Sequence, residues 1–416
     1  MIYLDYNATT PLCEPARTAM LPFLDGKFGN PSSVHAAGRE ARAAVDDARD
    51  QLANLLGAKA HELIFTSGGT EANNLAILGL ARSRAGRGKH LISAKTEHHA
   101  VLNTIEHLEK REGFEVTWLD VSKSGLIDLD QLADAIRDET LLVSIMHANN
   151  ETGVIQPLRE ISEICRSRGV LLHSDMVQSF GKISSVIPSE VERSRRETFT
   201  VTQRDPSTPR RSGRDDLGSL VDAASFAAHK FYGPKGAGFL FLRSGIPIEP
   251  IHFGGAHENQ RRAGTENVAA IAGMAAAAEF MERDREQEQA RQGRLRDQLW
   301  QEISAQIELA VLNGDIHRRL ANTLNVSLPA LDSETMLMAL DLDGVCASSG
   351  SACMVGSVVA SHVLLAMDLP LTLARSAIRF SLGKYTTAEE ISATAGIVSE
   401  IVKRTNARRS EKAVAV

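Results

Sequence analysis

Residues 62–74 read ELIFTSGGTEANN: a short apolar run, a glycine turn and the polar start of a helical stretch. The run has the β-branched and aromatic side chains of a buried strand, and helical periodicity follows the glycines. The same unit recurs along the chain, and we predict strands at residues 62–67, 90–94, 114–121, 141–148, 170–175 and 238–243. Apolar strands alternating with helices predict an α/β fold whose mostly parallel sheet is covered by helices on both faces.

The character of the sequence changes after the last of these strands. A stretch rich in alanine and glutamate predicts one long helix over roughly 265–303, followed by the short strands LNVSL and AIRFSL among further helices. We therefore predict a large domain over 14–260 and a smaller α+β domain formed by 1–13 and 261–416. Residues 190–214 carry seven arginines and little apolar periodicity, so we expect a surface insertion that catalysis does not require.

Composition and charge exclude several classes of protein. The 416 residues include 46 Lys and Arg against 52 Asp and Glu, a formal net charge of −6, which provides no basic field for nucleic acid or an anionic membrane. The chain has no apolar run long enough to span a bilayer. The stretch MIYLDYNATT lacks the basic and apolar regions of a secretory signal, so we do not expect it to act as one. Its four cysteines are too few and too widely spaced for a disulfide framework or a zinc site. We expect a cytoplasmic protein without metal, nucleic acid or membrane partners.

Polar side chains follow several of the predicted strands. The glycine pair after residue 66 opens a helix whose first amides can hold a single phosphate. Turn formation alone can explain a single polar residue after a strand. Several such residues at one sheet edge indicate a ligand site, because the carboxyl ends of parallel strands meet there and ligands bind at that edge. The candidate residues at this edge are Gly68, Gly69, Thr70, His98, Asn149, Asn150, Asp175 and Gln178.

The stretch SFAAHKFYGPKGAG, residues 225–238, places His229 and Lys230 before a turn rich in glycine and proline. An isolated lysine is usually solvated. At a strand end that faces a ligand crevice, however, a lysine can lose its charge by desolvation and attack a carbonyl. We therefore treat Lys230 as a candidate nucleophile.

Asp175 is a second candidate for the chemistry of the site. A buried carboxylate such as Asp175 can hold a proton on a pyridine nitrogen.

The run CASSGSACMVGS places Cys353 among small, flexible residues. A free cysteine is commonly a small buried apolar residue, which fits Cys165 in its apolar-periodic stretch. Serine and glycine neighbours instead predict an exposed, mobile thiol, as a nucleophile that moves between two sites requires.

Taken together, these motifs resemble the cysteine desulfurases that supply sulfur for iron–sulfur clusters, which are class-V aminotransferases with the fold of type I pyridoxal 5′-phosphate (PLP) enzymes. The similarity runs from YLDYNATTP through GNPSSVH, TSGGTEANN, TEHHAV, HANNETGVIQP, HSDMVQ, AHKFYGPKG, RRAGTENV and SSGSAC to IRFSLGKYTTAEE. It covers nearly the whole chain except the arginine-rich insertion. The resemblance implies PLP as cofactor, L-cysteine as substrate and L-alanine as product.

The resemblance also implies a role for each candidate residue. Lys230 forms a Schiff base with PLP and shares proton transfer with His98, and Cys353 takes the sulfur as a persulfide. The implied cofactor contacts are Gly69, Thr70 and His229 at the phosphate, Asp175 at the pyridine nitrogen, Asn150 and Gln178 at the ring oxygen, and His98 on the ring face.

Further implied contacts reach the substrate and a second subunit. Arg379 clamps the substrate carboxylate and Asn150 also lies against the substrate. Thr265 reaches the phosphate of the neighbouring subunit, which makes the protein a homodimer. One departure concerns the cofactor: Ala227 stands where the family usually has a serine, so one hydroxyl donor to the phosphate is missing.

The persulfide acceptor that the resemblance implies is a protein such as an iron–sulfur scaffold. Two alternatives stay open on the sequence. The first is a selenocysteine lyase or aminotransferase on the same fold, for which Cys353 is dispensable. The second is a catalytically weak sulfur-relay scaffold.

Overall fold

The computed structural model of the chain describes residues 1–183, 217–329, 331–350 and 360–414, with side chains to residue 407. The predicted insertion 190–214 and Cys353 lie outside the described residues. The strands in chain order are β1 (Ile2–Tyr3), β2 (Leu63–Thr66), β3 (His90–Ala94), β4 (Glu115–Leu119), β5 (Thr140–Ser144), β6 (Leu171–Asp175), β7 (Ala223–Ala227), β8 (Gly238–Leu242), β9 (Val311–Leu312), β10 (Thr323–Ser327), β11 (Val345–Cys346) and β12 (Ala377–Ser381).

Helices surround these strands. None of the helices in the described ranges combines the length and the apolarity that crossing a bilayer needs. They are α1 (Glu14–Leu24), α2 (Ala36–Leu56), α3 (Gly69–Ser83), α4 (His99–Glu112), α5 (Leu129–Ala135), α6 (Leu158–Ser167), α7 (Leu217–Leu220), α8 (Val268–Glu282), α9 (Arg285–Gln306), α10 (Ser333–Leu342), α11 (His362–Ala366), α12 (Leu371–Ala374) and α13 (Ala388–Val414).

Seven strands form the central sheet in the order β2-β8-β7-β6-β5-β3-β4. Strand β8 pairs antiparallel with both β2 and β7, and the other pairings in the sheet are parallel. The predicted α/β fold with a mostly parallel sheet is therefore confirmed. The carboxyl ends of β3, β5, β6 and β7 meet at one edge, as the predicted ligand site requires.

Strand β7, which delivers His229 and Lys230, is absent from the predicted strands. Its sequence AASFA is built mainly of small residues, which favour strands weakly. All five residues are nevertheless buried between β6 and β8, and α3 packs across them. Small side chains suit this position because they let the helix lie close to the sheet.

The predicted single helix over 265–303 is wrong. The structure has two helices, α8 and α9, that are interrupted at Asp284, where the backbone leaves helical geometry. Lys384 forms an ion pair with Asp284 at the break and lies 4.5 Å from the centre of the Phe280 ring. The two halves pack on different layers: α8 contacts α1 and α2, whereas α9 contacts α13. Periodicity along the sequence did not distinguish one helix from two.

The C-terminal part has its own sheet and apolar core. Strands β12, β10 and β9 form an antiparallel sheet, and β1 pairs in parallel with β11, so the chain start joins this part. Its core includes Leu299, Val326, Phe380 and Val398. The limits given above for the large and the small domain remain a prediction. Because α8 belongs to the core of the large sheet, we propose that the second boundary lies near residue 283 rather than at 261.

Two fully buried histidines make the stability of this fold depend on pH. Burial lowers the pKa of His147 to about 4 and that of His173 to about 3, from an ordinary value of 6.5. Both rings stay neutral in the folded protein, whereas in the unfolded chain they take up protons as the pH falls below 6.5. Each histidine therefore removes about 2 kcal/mol of unfolding free energy between pH 7 and pH 5.

We expect His173→Asn to reduce this loss by about 2 kcal/mol, measured as the difference between urea unfolding at pH 7 and at pH 5. Buried Glu97 and Glu151 act in the opposite direction, because burial raises their pKa values, so the comparison is made between variants. His107→Gln, at an exposed histidine, is the control and should leave the difference unchanged. An unaltered pH dependence in His173→Asn would contradict the prediction.

Candidate functional site

The glycine turn after β2 lies against the ends of two other strands. A Cβ atom on Gly69 would come within 2.6 Å of Val177 Cγ2 and 3.4 Å of Ala227 Cβ. Gly68 has φ of +153°, which glycine adopts at little cost. Thr70 follows in the first turn of α3, where backbone amides have no partner inside the helix. The turn therefore forms a backbone site for a phosphate beside β6 and β7.

Asp175 ends β6 with its carboxylate buried and fully hydrogen-bonded. Its Oδ2 accepts from Asn73 Nδ2 at 2.7 Å, and its Oδ1 accepts from the Val177 amide at 2.9 Å. The residue is 6% exposed. Sequence reasoning missed Asn73, although it stands in the TEANN run one turn into the helix after the glycines. Two donors hold Asp175 in one orientation toward the site.

Lys230 lies in a 3-10 turn directly after β7 and is half-buried. Its Nζ donates to the carbonyl oxygens of Asn7 and Ala8, at 2.8 and 2.7 Å. The Asn7 carbonyl also accepts from Gln178 Nε2 at 2.9 Å. The chain start is thus part of the site and links two predicted residues. Asn7 is not among the predicted site residues, because nothing in YNATT indicates which distant groups it contacts.

Lys182 is a second half-buried lysine of the site that sequence reasoning missed. Its Nζ donates to Gln178 Oε1 at 2.8 Å and to Asn7 Oδ1 at 3.1 Å. Burial, together with the like charges of Lys230 and Arg379, holds the pKa of Lys182 well below its usual range. Its position four residues after Gln178, one helical turn on, was the available signal. Lys182 orients the side chains of Asn7 and Gln178.

Both predicted histidines are shifted toward their neutral forms. Burial, opposed by Asp175 and assisted by Lys230, lowers the pKa of His98. His98 Nδ1 accepts from the Ala100 amide at 3.0 Å, so the neutral ring carries its proton on Nε2. Burial and the charge of Lys230 lower the pKa of His229 to about 4, and its Nδ1 lies 3.2 Å from Thr9 Oγ1.

Arg379 lies on β12 of the C-terminal sheet and reaches the same site. It is 3% exposed, and its guanidinium donates to Asp5 Oδ1 at 2.7 Å and to the Asn150 carbonyl at 3.0 Å. Its buried Nε has no hydrogen-bond partner among the described residues. A buried donor without a partner costs free energy, so this atom is a ready contact for a substrate carboxylate.

Glu151 contacts the residues on both sides of segment 351–359, the undescribed segment that contains Cys353. Ser361 Oγ donates a hydrogen bond to Glu151 Oε2, and a Cβ atom on Gly350 would collide with the same carboxyl group. Burial raises the pKa of Glu151. The sequence analysis passed over this residue, although it follows Asn150 in HANNETG. Its position brings Gly350 and Ser361 close to Asn150 and the site.

The three described cysteines differ in exposure. Cys13 and Cys165 are buried, and burial raises the pKa of both thiols, that of Cys165 to about 12. Cys346 is partly buried in β11. Neither buried thiol forms a thiolate readily near neutral pH.

Most of the predicted site residues therefore lie around one edge of the sheet, including Gly69, His98, Asn150, Asp175, Gln178, His229, Lys230 and Arg379. Thr265 differs from them, because it is exposed on the surface of this subunit. A lysine after a strand, a carboxylate on a neighbouring strand and a glycine turn at a helix start are together typical of fold-type I PLP enzymes.

Comparison with known proteins supports this class. The aminotransferase class-V family model matches residues 2–187 and 216–394. The chain is 45% identical over 403 residues to cysteine desulfurase IscS of Dictyoglomus turgidum, covering 97% of this chain and 95% of the relative. The chain belongs to the aminotransferase class-V family, which uses PLP.

Two solved structures show the same fold. A NifS-like protein superimposes with a TM-score of 0.84 at 33% identity, and the match covers 97% of this chain and 99% of the other. SspA in complex with cysteine gives a TM-score of 0.76 at 32% identity, covering 93% of this chain and 100% of the other. The likeness extends over both parts of the fold.

The residues present fit PLP. The glycine turn has no room for a side chain at Gly69 and offers free amides for a phosphate. The buried carboxylate of Asp175 suits a protonated pyridine nitrogen, and Lys230 lies on the adjacent strand end. Ala227 leaves the backbone donors of the phosphate site unchanged. Its methyl group, however, cannot donate the hydrogen bond that a serine hydroxyl would provide.

Proposed function

We propose that this protein is a PLP-dependent cysteine desulfurase, which removes sulfur from L-cysteine, releases L-alanine and carries the sulfur as a persulfide on Cys353. The observation that carries the proposal is the meeting of Lys230, Asp175 and the buried Arg379 at one sheet edge. The 45% identity to a protein named cysteine desulfurase IscS supports it, as does a structural relative in complex with cysteine.

Each residue has a defined task in this proposal. PLP, when bound, supplies an electron sink for the substrate Cα. Arg379 binds the substrate carboxylate, and its Nε, which has no partner within the described part of the chain, is available as a donor. Asp175 holds the proton of the pyridine nitrogen. Lys230 and the Nε2 of His98 move protons, and burial lowers the pKa of His98, which keeps its ring neutral and able to accept a proton.

Sulfur transfer needs a thiolate from the protein. The Cys353 thiolate forms an S–S bond with the substrate sulfur while the Cβ–S bond breaks, and the electron pair of that bond stays on the carbon skeleton. The skeleton takes up protons to become alanine. Among the other cysteines, Cys13 and Cys165 are buried and Cys346 lies in strand β11. The proposal rests on Cys353 because it alone stands in a run of small serine, glycine and alanine neighbours.

Product analysis tests the proposal against its alternatives. The purified holoenzyme is incubated with L-cysteine and a thiol reductant, and sulfide and alanine are measured together. We expect equal amounts of both. Activity with L-selenocysteine alone favours a selenocysteine lyase, and amino transfer to a 2-oxo acid without sulfide favours an aminotransferase. Absence of both products and of PLP absorbance favours a sulfur-relay scaffold.

Asp175→Asn should keep PLP bound and lower turnover severely, by about a hundredfold or more. A neutral amide can still accept from Val177 but cannot stabilise the proton on the pyridine nitrogen. Absorbance measures bound PLP and alanine formation measures turnover. Asp138→Asn, at an exposed carboxylate on the opposite end of the sheet, is the control. Near-normal turnover in Asp175→Asn would remove this residue from the proposed machinery.

We also propose that the protein is a homodimer in which Thr265 reaches the phosphate site of the partner subunit. Three large apolar side chains near Thr265 are exposed in the single subunit: Phe28, Val34 and Phe253, at 86%, 89% and 87%. His257 links the segments that carry these side chains to the loop of Thr265. Its ring contacts Ser32 Oγ at 3.3 Å and the Gly264 amide at 3.3 Å. An apolar patch of this kind marks an interface.

Phe253→Asp should convert the dimer to a monomer in sedimentation analysis and lower PLP retention, because a buried charge at the interface has no partner. Leu309→Asp is the control, since Leu309 is equally apolar and exposed on the C-terminal part. A wild-type monomer with full activity, or an unchanged dimer in Phe253→Asp, would contradict the proposed interface.

The acceptor of the persulfide is proposed to be a protein such as an iron–sulfur scaffold, and the proposed location is the cytoplasm. Trapping the Cys353 persulfide and recovering the bound protein from the native cell identifies the acceptor.

A further inference from the structure

A cavity of about 260 Å³ opens at the amino end of the central sheet, opposite to Lys230 and Asp175. It lies between the starts of β5 and β6 and the loops that follow α3 and α6. Four arginines line it, and Asp138 is the only acid among its described lining residues. The arginines are Arg84, Arg87, Arg137 and Arg168.

The positive charge of this cavity is poorly compensated. Arg137 forms an ion pair with Glu115, but the other three arginines have no side-chain hydrogen bond or ion pair within the described residues. The Nε of Arg84 is buried without a partner. Burial and the like charge of Arg87 lower the pKa of Arg84, while the nearby Asp222 is already bound by Arg243.

Helix ends account for part of this arrangement. Arg84 and Arg168 are the C-cap residues of α3 and α6, where positive side chains interact favourably with the helix dipole. That interaction does not require the two helix ends to share a cavity, and it does not explain Arg87 or Arg137. In a chain with a net charge of −6, a cavity lined by four arginines, three of them without a side-chain ion pair among the described residues, indicates an anionic ligand.

We propose that this cavity is a second ligand site, which binds a compact phosphate-bearing anion of one or two phosphoryl groups. Guanidinium groups match phosphate oxygens in pairs and are the usual choice for this ligand. The volume lies just below the roughly 300 to 1,000 Å³ of pockets for larger molecules, which favours a diphosphate over a nucleotide. The site does not depend on the proposed desulfurase activity.

Titration calorimetry with inorganic pyrophosphate tests the site. The holoenzyme is used, so that PLP already fills the phosphate site of the other sheet edge. We expect one saturable site per subunit, and Arg84→Met and Arg168→Met should each weaken binding about tenfold or more. Arg318→Met removes the same charge from an exposed arginine of the C-terminal part and should leave binding unchanged.

Three outcomes would overturn the proposal. The first is the absence of saturable binding by the wild-type holoenzyme. The second is equal weakening in Arg318→Met, which would show a general charge effect. The third is a single-stranded RNA that binds through these arginines more tightly than pyrophosphate, which would make the cavity part of a nucleic-acid surface. Arg168 is exposed, so its variant tests the site even if Arg84→Met does not fold.

Discussion

Lys230→Ala is expected to abolish desulfuration, with turnover reduced about a thousandfold or more, and to remove the covalent link to PLP. The half-buried amine stands directly after β7, across from Asp175 on β6. In the structure it is held by two backbone carbonyls of the chain start, so it is aimed at one place before any substrate arrives. No alanine side chain can attack the cofactor carbonyl or move a proton.

The measurement is absorbance of bound PLP, followed by borohydride reduction and peptide mapping. Lys235→Ala is the matched control, because this exposed lysine lies five residues further on and should be dispensable. Lys182 provides the critical alternative, because it is the other half-buried lysine beside Asn7 and its pKa is strongly lowered. A reducible adduct that maps to Lys182, or that persists in Lys230→Ala, would show that the nucleophile has been assigned wrongly.

Cys353→Ser should bind PLP and L-cysteine normally while sulfide release falls about a hundredfold or more and no persulfide forms. A hydroxyl group at this position is a far poorer nucleophile than a thiolate and cannot carry the sulfur atom. Gly350 and Ser361, which flank the segment around Cys353, both contact Glu151 beside the site residue Asn150. This contact places Gly350 and Ser361 beside the site residues.

Mass spectrometry after cysteine treatment locates the added sulfur atom. Cys346→Ser is the matched control, because Cys346 is the least buried of the three described cysteines and should not affect turnover. Cys165 should stay unmodified, since burial raises its pKa to about 12. Sulfur found on any of the other cysteines, or normal turnover in Cys353→Ser, would refute the proposed transfer step.

Local sequence patterns predicted most of the large sheet. Apolar runs such as HLISA and VLLHSD match β3 and β6, because strand periodicity and β-branched residues act over a few residues. The same approach missed β7, whose small residues favour a strand only because α3 packs across it. It also merged α8 and α9, since the break at Asp284 follows from packing on two different layers.

The site residues also fall into those that local sequence patterns predicted and those that they did not. Strand ends and a glycine turn predicted that Asp175, His98 and Lys230 share one edge of the sheet, because parallel strands end together. The contacts of Asn7 could not be predicted from the local sequence pattern. Its side chain contacts Thr323 Oγ1 at 2.9 Å and the Asn150 carbonyl at 3.2 Å, residues far along the chain.

The amino-acid sequence by itself determined the α/β class, the strand ends that carry the site and the resemblance to cysteine desulfurases. These depend on short-range periodicity and on residue types at fixed spacing. Only the tertiary structure decided that Asn7 and Lys182 orient Gln178, that Glu151 contacts both flanks of the Cys353 segment, and that the arginines of α3 and α6 share a cavity. Such contacts join groups distant in the chain, and burial then sets their pKa values, so no local pattern specifies them.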